Sequence, residues 1–214
     1  MVFDVHRIIP KTRRELDQSK RQEYARHYAG VMQEKLCYIR KPDNAMSFDA
    51  IADYIGIWHA ASKGECDYPA RGLFLYGAPG TGKTTALQVL SGLCNIDYIV
   101  AADMAKAFAI GRYEAFWEIA DRYRFCHLIV DDIGCGDTAK SYGNDAPFAE
   151  FIRERERSWT EKGICSFFTS NAKSREDVTA RYGLNVCSRL LGMCDFLKFS
   201  GGDNRPRRAK QTQK

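Results

Sequence analysis

Apolar residues arrive in short runs separated by longer stretches of mixed character. Leu73-Phe74-Leu75-Tyr76, Tyr98-Ile99-Val100-Ala101, His127-Leu128-Ile129-Val130, Ile164-Cys165-Ser166-Phe167-Phe168-Thr169 and Asp195-Phe196-Leu197-Lys198-Phe199 each have the length and side chains of a strand. Several are apolar at consecutive positions, as strands covered on both faces are. Between them Thr85 to Leu90, Asp103 to Gly111, Tyr113 to Arg122 and Asp145 to Glu161 read as helical. Five short strands alternating with helices predict an α/β fold with a five-stranded parallel sheet covered on both faces, three layers in all.

Before the first strand the pattern is different. From Thr12 to about Ile39 there is no proline and only one glycine, and Tyr24, Tyr28, Val31, Met32, Leu36 and Ile39 recur at near-helical spacing, which predicts a basic amphipathic helix. Its apolar stripe must bury against its own domain or against a partner protein. Lys41-Pro42-Asp43-Asn44 is a breaker. A second helix follows from Ser47, a candidate N-cap, to Ser62, and Lys63-Gly64-Glu65 with Tyr68-Pro69 forms the loop to the first strand. No internal repeat or low-complexity segment is present.

The densest chemistry lies between the first strand and the helix after it. Gly77-Ala78-Pro79-Gly80-Thr81-Gly82-Lys83-Thr84 fits the pattern G-x-x-x-x-G-K-[ST] in the strand-to-helix context that a phosphate-binding loop needs. The glycines bring bare N–H groups against phosphate oxygens, and the helix starting at Lys83 aims its positive end at the same anion. Gly77 through Thr85 are therefore the candidate ATP- or ADP-binding residues. Lys83 reaches the β- and γ-phosphates and the Thr84 hydroxyl ligates Mg²⁺. A second candidate is Leu128-Ile129-Val130-Asp131-Asp132, a buried strand running out into two carboxylates at the sheet edge where ligands bind in open α/β folds. Asp131 is placed to hold Mg²⁺, directly or through water, and Asp132 to orient or deprotonate an attacking water.

Composition narrows the class without changing it. The 214 residues, 45% hydrophobic and 28% charged, suit one globular domain with an appended arm. No apolar run is long enough to span a membrane, and the start lacks the basic-then-apolar order of a signal peptide, so the expected location is the cytoplasm. The eight cysteines (37, 66, 94, 126, 135, 165, 187, 194) form no C-x-x-C pair and read as reduced core residues. The net charge of +5 is concentrated at the two ends, which suits an anionic partner such as DNA or serves solubility alone.

With these motifs in order, the sequence resembles the AAA+ ATPases, and within them the DnaC-type helicase loaders and the IstB-like ATPases that assist transposition. The features that carry the likeness are Gly72 to Thr84, Leu128 to Gly134, Thr169-Ser170-Asn171, Ser188-Arg189-Leu190-Leu191 and Gly201-Gly202-Asp203-Asn204-Arg205. It spans roughly residues 45 to 205, which implies a basic helical arm at 1–44, an AAA+ ATP-binding domain of ASCE-type P-loop NTPase fold at 45–205 and a basic tail at 206–214. The resemblance implies that Asn171 is the sensor 1 residue, that Arg189 is an arginine finger acting in trans on a neighbouring subunit's site, and that Arg205 is a sensor 2 arginine.

Two departures qualify the likeness. Most AAA+ proteins carry Glu where this chain has Asp132, one methylene shorter, which implies slow hydrolysis. About 15 residues follow the last strand, too few for a C-terminal helical lid. A neighbouring copy is therefore expected to complete the site, in a nucleotide-dependent homo-oligomer. The implied partners are single-stranded DNA and, through the N-terminal arm, a replicative helicase or alternatively a transposase. Lys106, Arg112, Arg122, Tyr123 and Arg124 mix cations with an aromatic and suit nucleic-acid contacts or a solvated helix face. Two other classes stay open, a small-molecule kinase built on the same loop and an assembly protein that binds nucleotide without hydrolysing it.

Overall fold

The structure is a computed structural model that describes residues 13–36, 40–134 and 146–203. Its elements in chain order are α1 (Gln18–Leu36), α2 (Ala45–Ser62), β1 (Gly72–Gly77), α3 (Lys83–Cys94), β2 (Asp97–Val100), α4 (Ala101–Arg122), β3 (Leu128–Ile133), α5 (Ala146–Lys162), β4 (Ser166–Ser170), α6 (Arg175–Met193) and β5 (Cys194–Phe199). The five strands form one sheet in the order β2-β3-β4-β1-β5, and every pairing is parallel.

Alternation along the strands divides the core in two. Phe74, Leu128, Val130 and Phe168 face a cluster built with α4, α5 and α6. Leu73, Leu75, Ile129 and Phe167 face a cluster built with α1, α2 and α3. Successive strand side chains point to opposite faces, so a run such as Leu128-Ile129-Val130 supplies both clusters at once. The result is the α/β three-layer arrangement with a parallel sheet.

The stripe of α1 finds its cover within the chain. Tyr28 and Met32 are buried in the same cluster as Phe48, Ile55 and Trp58 of α2, while Ile39 and the side chain of Leu36 lie outside the described residues. Polar contacts fasten α1 from outside: Arg21 pairs with Asp53 of α2 at 2.6 Å, and Tyr24 donates to Glu65 in the loop after α2 at 2.9 Å.

Several local expectations need correcting. Ser47 does not cap α2: the helix starts at Ala45, and the buried Ser47 hydroxyl donates back to the carbonyl of Asn44 at 3.0 Å. The expected break after Gly111 is absent, since α4 runs unbroken from Ala101 to Arg122. One glycine costs a helix only about 1 kcal/mol, less than the burial of Met104, Phe108 and Phe116 on the sheet returns. β2 ends at Val100, because Ala101 already belongs to α4.

The charged run Arg153-Glu154-Arg155-Glu156-Arg157 hides one interior residue. Arg155 is only 2% exposed. Its guanidinium donates to Ser166 Oγ at 2.7 Å and to the carbonyls of Tyr123, Cys126 and Cys165 at 2.6, 3.0 and 3.2 Å. Burial pushes its pKa down to about 10, so it stays charged at neutral pH. Beside it, the backbone N–H of Cys165 donates to His127 Nδ1 at 3.0 Å. The six described cysteines are free thiols. Among the described residues no helix is long and apolar enough to cross a membrane.

Candidate nucleotide site

The loop from Gly77 to Lys83 leaves the C-terminal edge of the sheet at one of its inner strands. A Cβ on Gly77 would lie 2.1 Å from the carbonyl oxygen of Phe199 on β5, so only glycine lets the two strands stay paired there. Gly82 takes φ +96 and serves as the N-cap of α3. This left-handed turn is what swings the chain into the helix. Lys83 is buried, and its ammonium donates to the carbonyls of Gly77 at 2.9 Å and Ala78 at 2.8 Å. The cation is thus held at the centre of the loop by main-chain oxygens. Asp203, beyond β5, rests against the same loop: a Cβ on Gly80 would meet its Oδ1 at 2.0 Å.

Two strands away, the end of β3 is irregular. Val130 is level with Phe168 of β4 and Ile133 with Ser170, so Asp131 and Asp132 together face the single residue Thr169. That count is a β-bulge. Asp132 takes φ +58, a left-handed conformation that Asp tolerates better than most residues. In a regular strand two consecutive side chains point to opposite faces; the bulge lets both carboxylates work at one edge.

Asp131, 6% exposed, gathers three hydroxyls. Thr84 donates to its two oxygens at 2.9 and 3.1 Å, Thr169 to Oδ1 at 2.5 Å, and Tyr98 of β2 to Oδ2 at 2.6 Å. Thr169 Oγ1 also accepts the backbone N–H of Asp132 at 2.7 Å. Asp132 in turn accepts from Asn171 Nδ2 at 2.7 Å. Burial pushes the Tyr98 phenol well up, and its bond to Asp131 pushes further the same way, so it remains a donor across the physiological range.

The fold therefore brings Lys83, Thr84, Asp131, Asp132 and Asn171 to one sheet edge, with Gly77 to Thr85 as the turn and first helical residues. It does not bring Arg189 there. Arg189, on the second half of α6, ion-pairs with Glu156 of α5. Gly183, at φ +82 and ψ +161, kinks α6 ahead of it. On the first half of α6, Arg181 donates to the carbonyl of Gly134, just past the two aspartates. Arg205 lies outside the described residues, as does the side chain of Arg112. Of the other cations on and just after α4, Lys106 pairs with Asp103 at 3.3 Å and Arg124 with Glu154 at 3.2 Å.

Sequence reasoning missed Tyr98 and Thr169 as parts of the site. Thr169 was visible as a member of Thr169-Ser170-Asn171. Nothing in the pattern around Tyr98 marks it, because its role depends on β2 lying beside β3.

A parallel sheet in this order, with a glycine-rich loop after β1 and a carboxylate on β3, is the P-loop NTPase fold. No protein-family model matches the sequence, and no curated protein matches it either. Solved structures do match. The crystal structure of the DnaC helicase loader is 16% identical with a TM-score of 0.52, over 76% of this chain and 95% of that one. The replication initiator DnaA bound to AMPPCP and single-stranded DNA is 17% identical with a TM-score of 0.54, over 74% of this chain and 47% of that one. A candidate primosome component from Streptococcus pyogenes serotype M3 is 21% identical with a TM-score of 0.54, over 76% of this chain and 84% of that one. The fold is the one these solved structures share, the three-layer α/β arrangement with a parallel sheet that the sequence resemblance implied.

Proposed function

We propose that the chain binds ATP with Mg²⁺ and hydrolyses it slowly, as a switch that assembles with copies of itself on single-stranded DNA and loads or remodels a replicative helicase. The observation that carries this reading is the joint placement of two pairs at one edge, Thr84 on Asp131 at 2.9 Å and Asn171 on Asp132 at 2.7 Å. One pair is oxygen-rich and suits a hard cation. The other couples an acid to an amide beside it, as activation of a water requires.

Each residue then has a task. The N–H groups of Gly80 to Thr84 cradle the phosphates, and Lys83 exchanges its two carbonyl partners for phosphate oxygens as nucleotide enters. A hydroxyl and one carboxylate fit Mg²⁺, which keeps most of its shell as water and phosphate oxygen; bound there, it neutralises charge on the phosphates. Asp132 accepts the proton of the attacking water, and Asn171 holds Asp132 in place while its amide faces the γ-phosphate. The tandem acid-and-amide arrangement favours water as acceptor over the hydroxyl of a metabolite. Arg189 supplies positive charge to a neighbouring copy's site after giving up Glu156. The solved likenesses named for helicase loading and replication initiation favour a replicative helicase over a transposase.

Turnover tests the enzymatic part. Wild type is expected to hydrolyse ATP in the presence of Mg²⁺, with Lys83→Ala and Asp132→Asn at background. A wild type no faster than either variant would leave a nucleotide-binding assembly protein in its place. Pull-down of a helicase rather than a transposase from the same genome tests the partner.

A further inference from the structure

We propose that Tyr98 is a positioning residue for the metal carboxylate, its phenol holding Asp131 in the orientation that receives a divalent cation beside the phosphate loop. This rests on the nucleotide-switch reading and deepens it. Tyr98 sits on β2, directly level with Ile129 of β3, and its strand neighbour Val100 is level with Asp131. Its hydroxyl reaches Asp131 Oδ2 at 2.6 Å, the length of a strong O–H···O⁻ bond. The exposed Gln88 side chain, one helical turn after Thr84 on α3, bonds the same phenol from outside. A chain of contacts therefore runs from α3 through β2 to β3.

The three hydroxyls on Asp131 are not equivalent. Thr84 is the residue whose oxygen ligates the cation, so its hold on the carboxylate depends on what the site contains. Thr169 and Tyr98 hold one oxygen each and ligate nothing. Oδ1 keeps Thr169 at 2.5 Å whatever Thr84 does, whereas Oδ2 has only the longer 3.1 Å contact from Thr84 besides Tyr98. Removing the phenol frees Oδ2 to turn. A carboxylate offers about four acceptor positions; with Thr84 turned to a cation, Thr169 and Tyr98 would occupy one on each oxygen and leave the others to the cation or its water. Partners that orient a metal ligand in this way typically change metal affinity by about 10- to 100-fold when removed. The phenol donates to Asp131, while the Asp132–Asn171 pair is held by its own bond at 2.7 Å.

The test is equilibrium binding of a fluorescent ATP analogue to the full chain, once in EDTA and once across a Mg²⁺ series. Tyr98→Phe is expected to raise the Mg²⁺ concentration at half effect about tenfold while leaving metal-free affinity at the wild-type value. Gln88→Leu, at an exposed position, is expected to shift the Mg²⁺ midpoint less and in the same direction. An unchanged midpoint in Tyr98→Phe overturns the inference. So does an equal loss of affinity with and without Mg²⁺, which marks a packing role. A wild type that fails to bind the analogue in either series overturns the nucleotide reading and this inference with it.

Discussion

Replacing Thr169 by Val removes one hydroxyl and leaves almost the same shape, so its cost can be worked from the contacts. Thr169 is 1% exposed. It donates to the carboxylate of Asp131 at 2.5 Å and accepts the N–H of Asp132 at 2.7 Å. The first bond goes to a charged acceptor and contributes about 1.5–3 kcal/mol, and the second about 0.5–1.5. The added methyl returns about 0.8 kcal/mol of burial. A net loss of roughly 2–3 kcal/mol follows, or about 5–10 °C in Tm for a chain of this length. Thr169→Ser keeps the hydroxyl, loses only a methyl, and should cost about 1 kcal/mol. Thermal and urea unfolding of the three proteins without nucleotide give the order wild type, Ser, Val. If Val equals wild type, or Ser falls below Val, Thr169 does not tie the bulge to the aspartates and this view of the site is wrong.

Three further predictions follow from particular contacts. Asp203 brings a negative charge against the loop that receives phosphates, so Asp203→Ala should tighten ATP-analogue binding roughly 3- to 10-fold by equilibrium titration, and weaker binding would refute it. His127 accepts a backbone N–H and is half-buried beside the Arg155 charge; burial first, then that charge, lowers its pKa. The folded chain therefore binds fewer protons than the unfolded chain as pH falls below about 6.5. Stability present at pH 7.5 should decline toward pH 5, and His127→Gln, which accepts without titrating, should flatten the slope of the urea midpoint against pH. Arg155→Met takes a donor from three carbonyls and a hydroxyl, leaving the Cys165 and Tyr123 carbonyls with long backbone N–H partners at 3.3 and 3.5 Å. Even after relief of the buried charge it should cost about 2–4 kcal/mol in denaturant unfolding, and stability unchanged from wild type would contradict the burial described.

How much of this the residues announce depends on the range over which the chemistry acts. The loop from Gly77 to Thr84 is legible because its glycines, lysine and threonine do their work within eight consecutive positions. Buried runs such as Leu128-Ile129-Val130 are legible because strands covered on both faces need no alternation. Element ends were not: a helix-breaking glycine and a capping serine are weak local preferences that core packing overrides at Gly111 and Ser47. The bulge at Asp131-Asp132 and the phenol of Tyr98 were hidden for a different reason. Both depend on which strands lie side by side, and strand order is a property of the whole sheet. Arg155 was hidden by its neighbours, since alternating charges on a helix read as a solvated face, and only the packing of α5 shows which one turns inward. Arg189 was legible as a position on a helix, while its pairing with Glu156 appears only when α5 and α6 are seen together.

The measurement that bears most directly on the whole account is ATP hydrolysis across a protein concentration series, with and without single-stranded DNA, for wild type and Arg189→Ala. The account predicts that turnover per molecule rises with concentration and with DNA in wild type, and that Arg189→Ala removes the rise. Turnover that is flat with concentration, and equal in the two proteins, would contradict a site shared between copies and would bring a monomeric kinase or a passive nucleotide binder to the front.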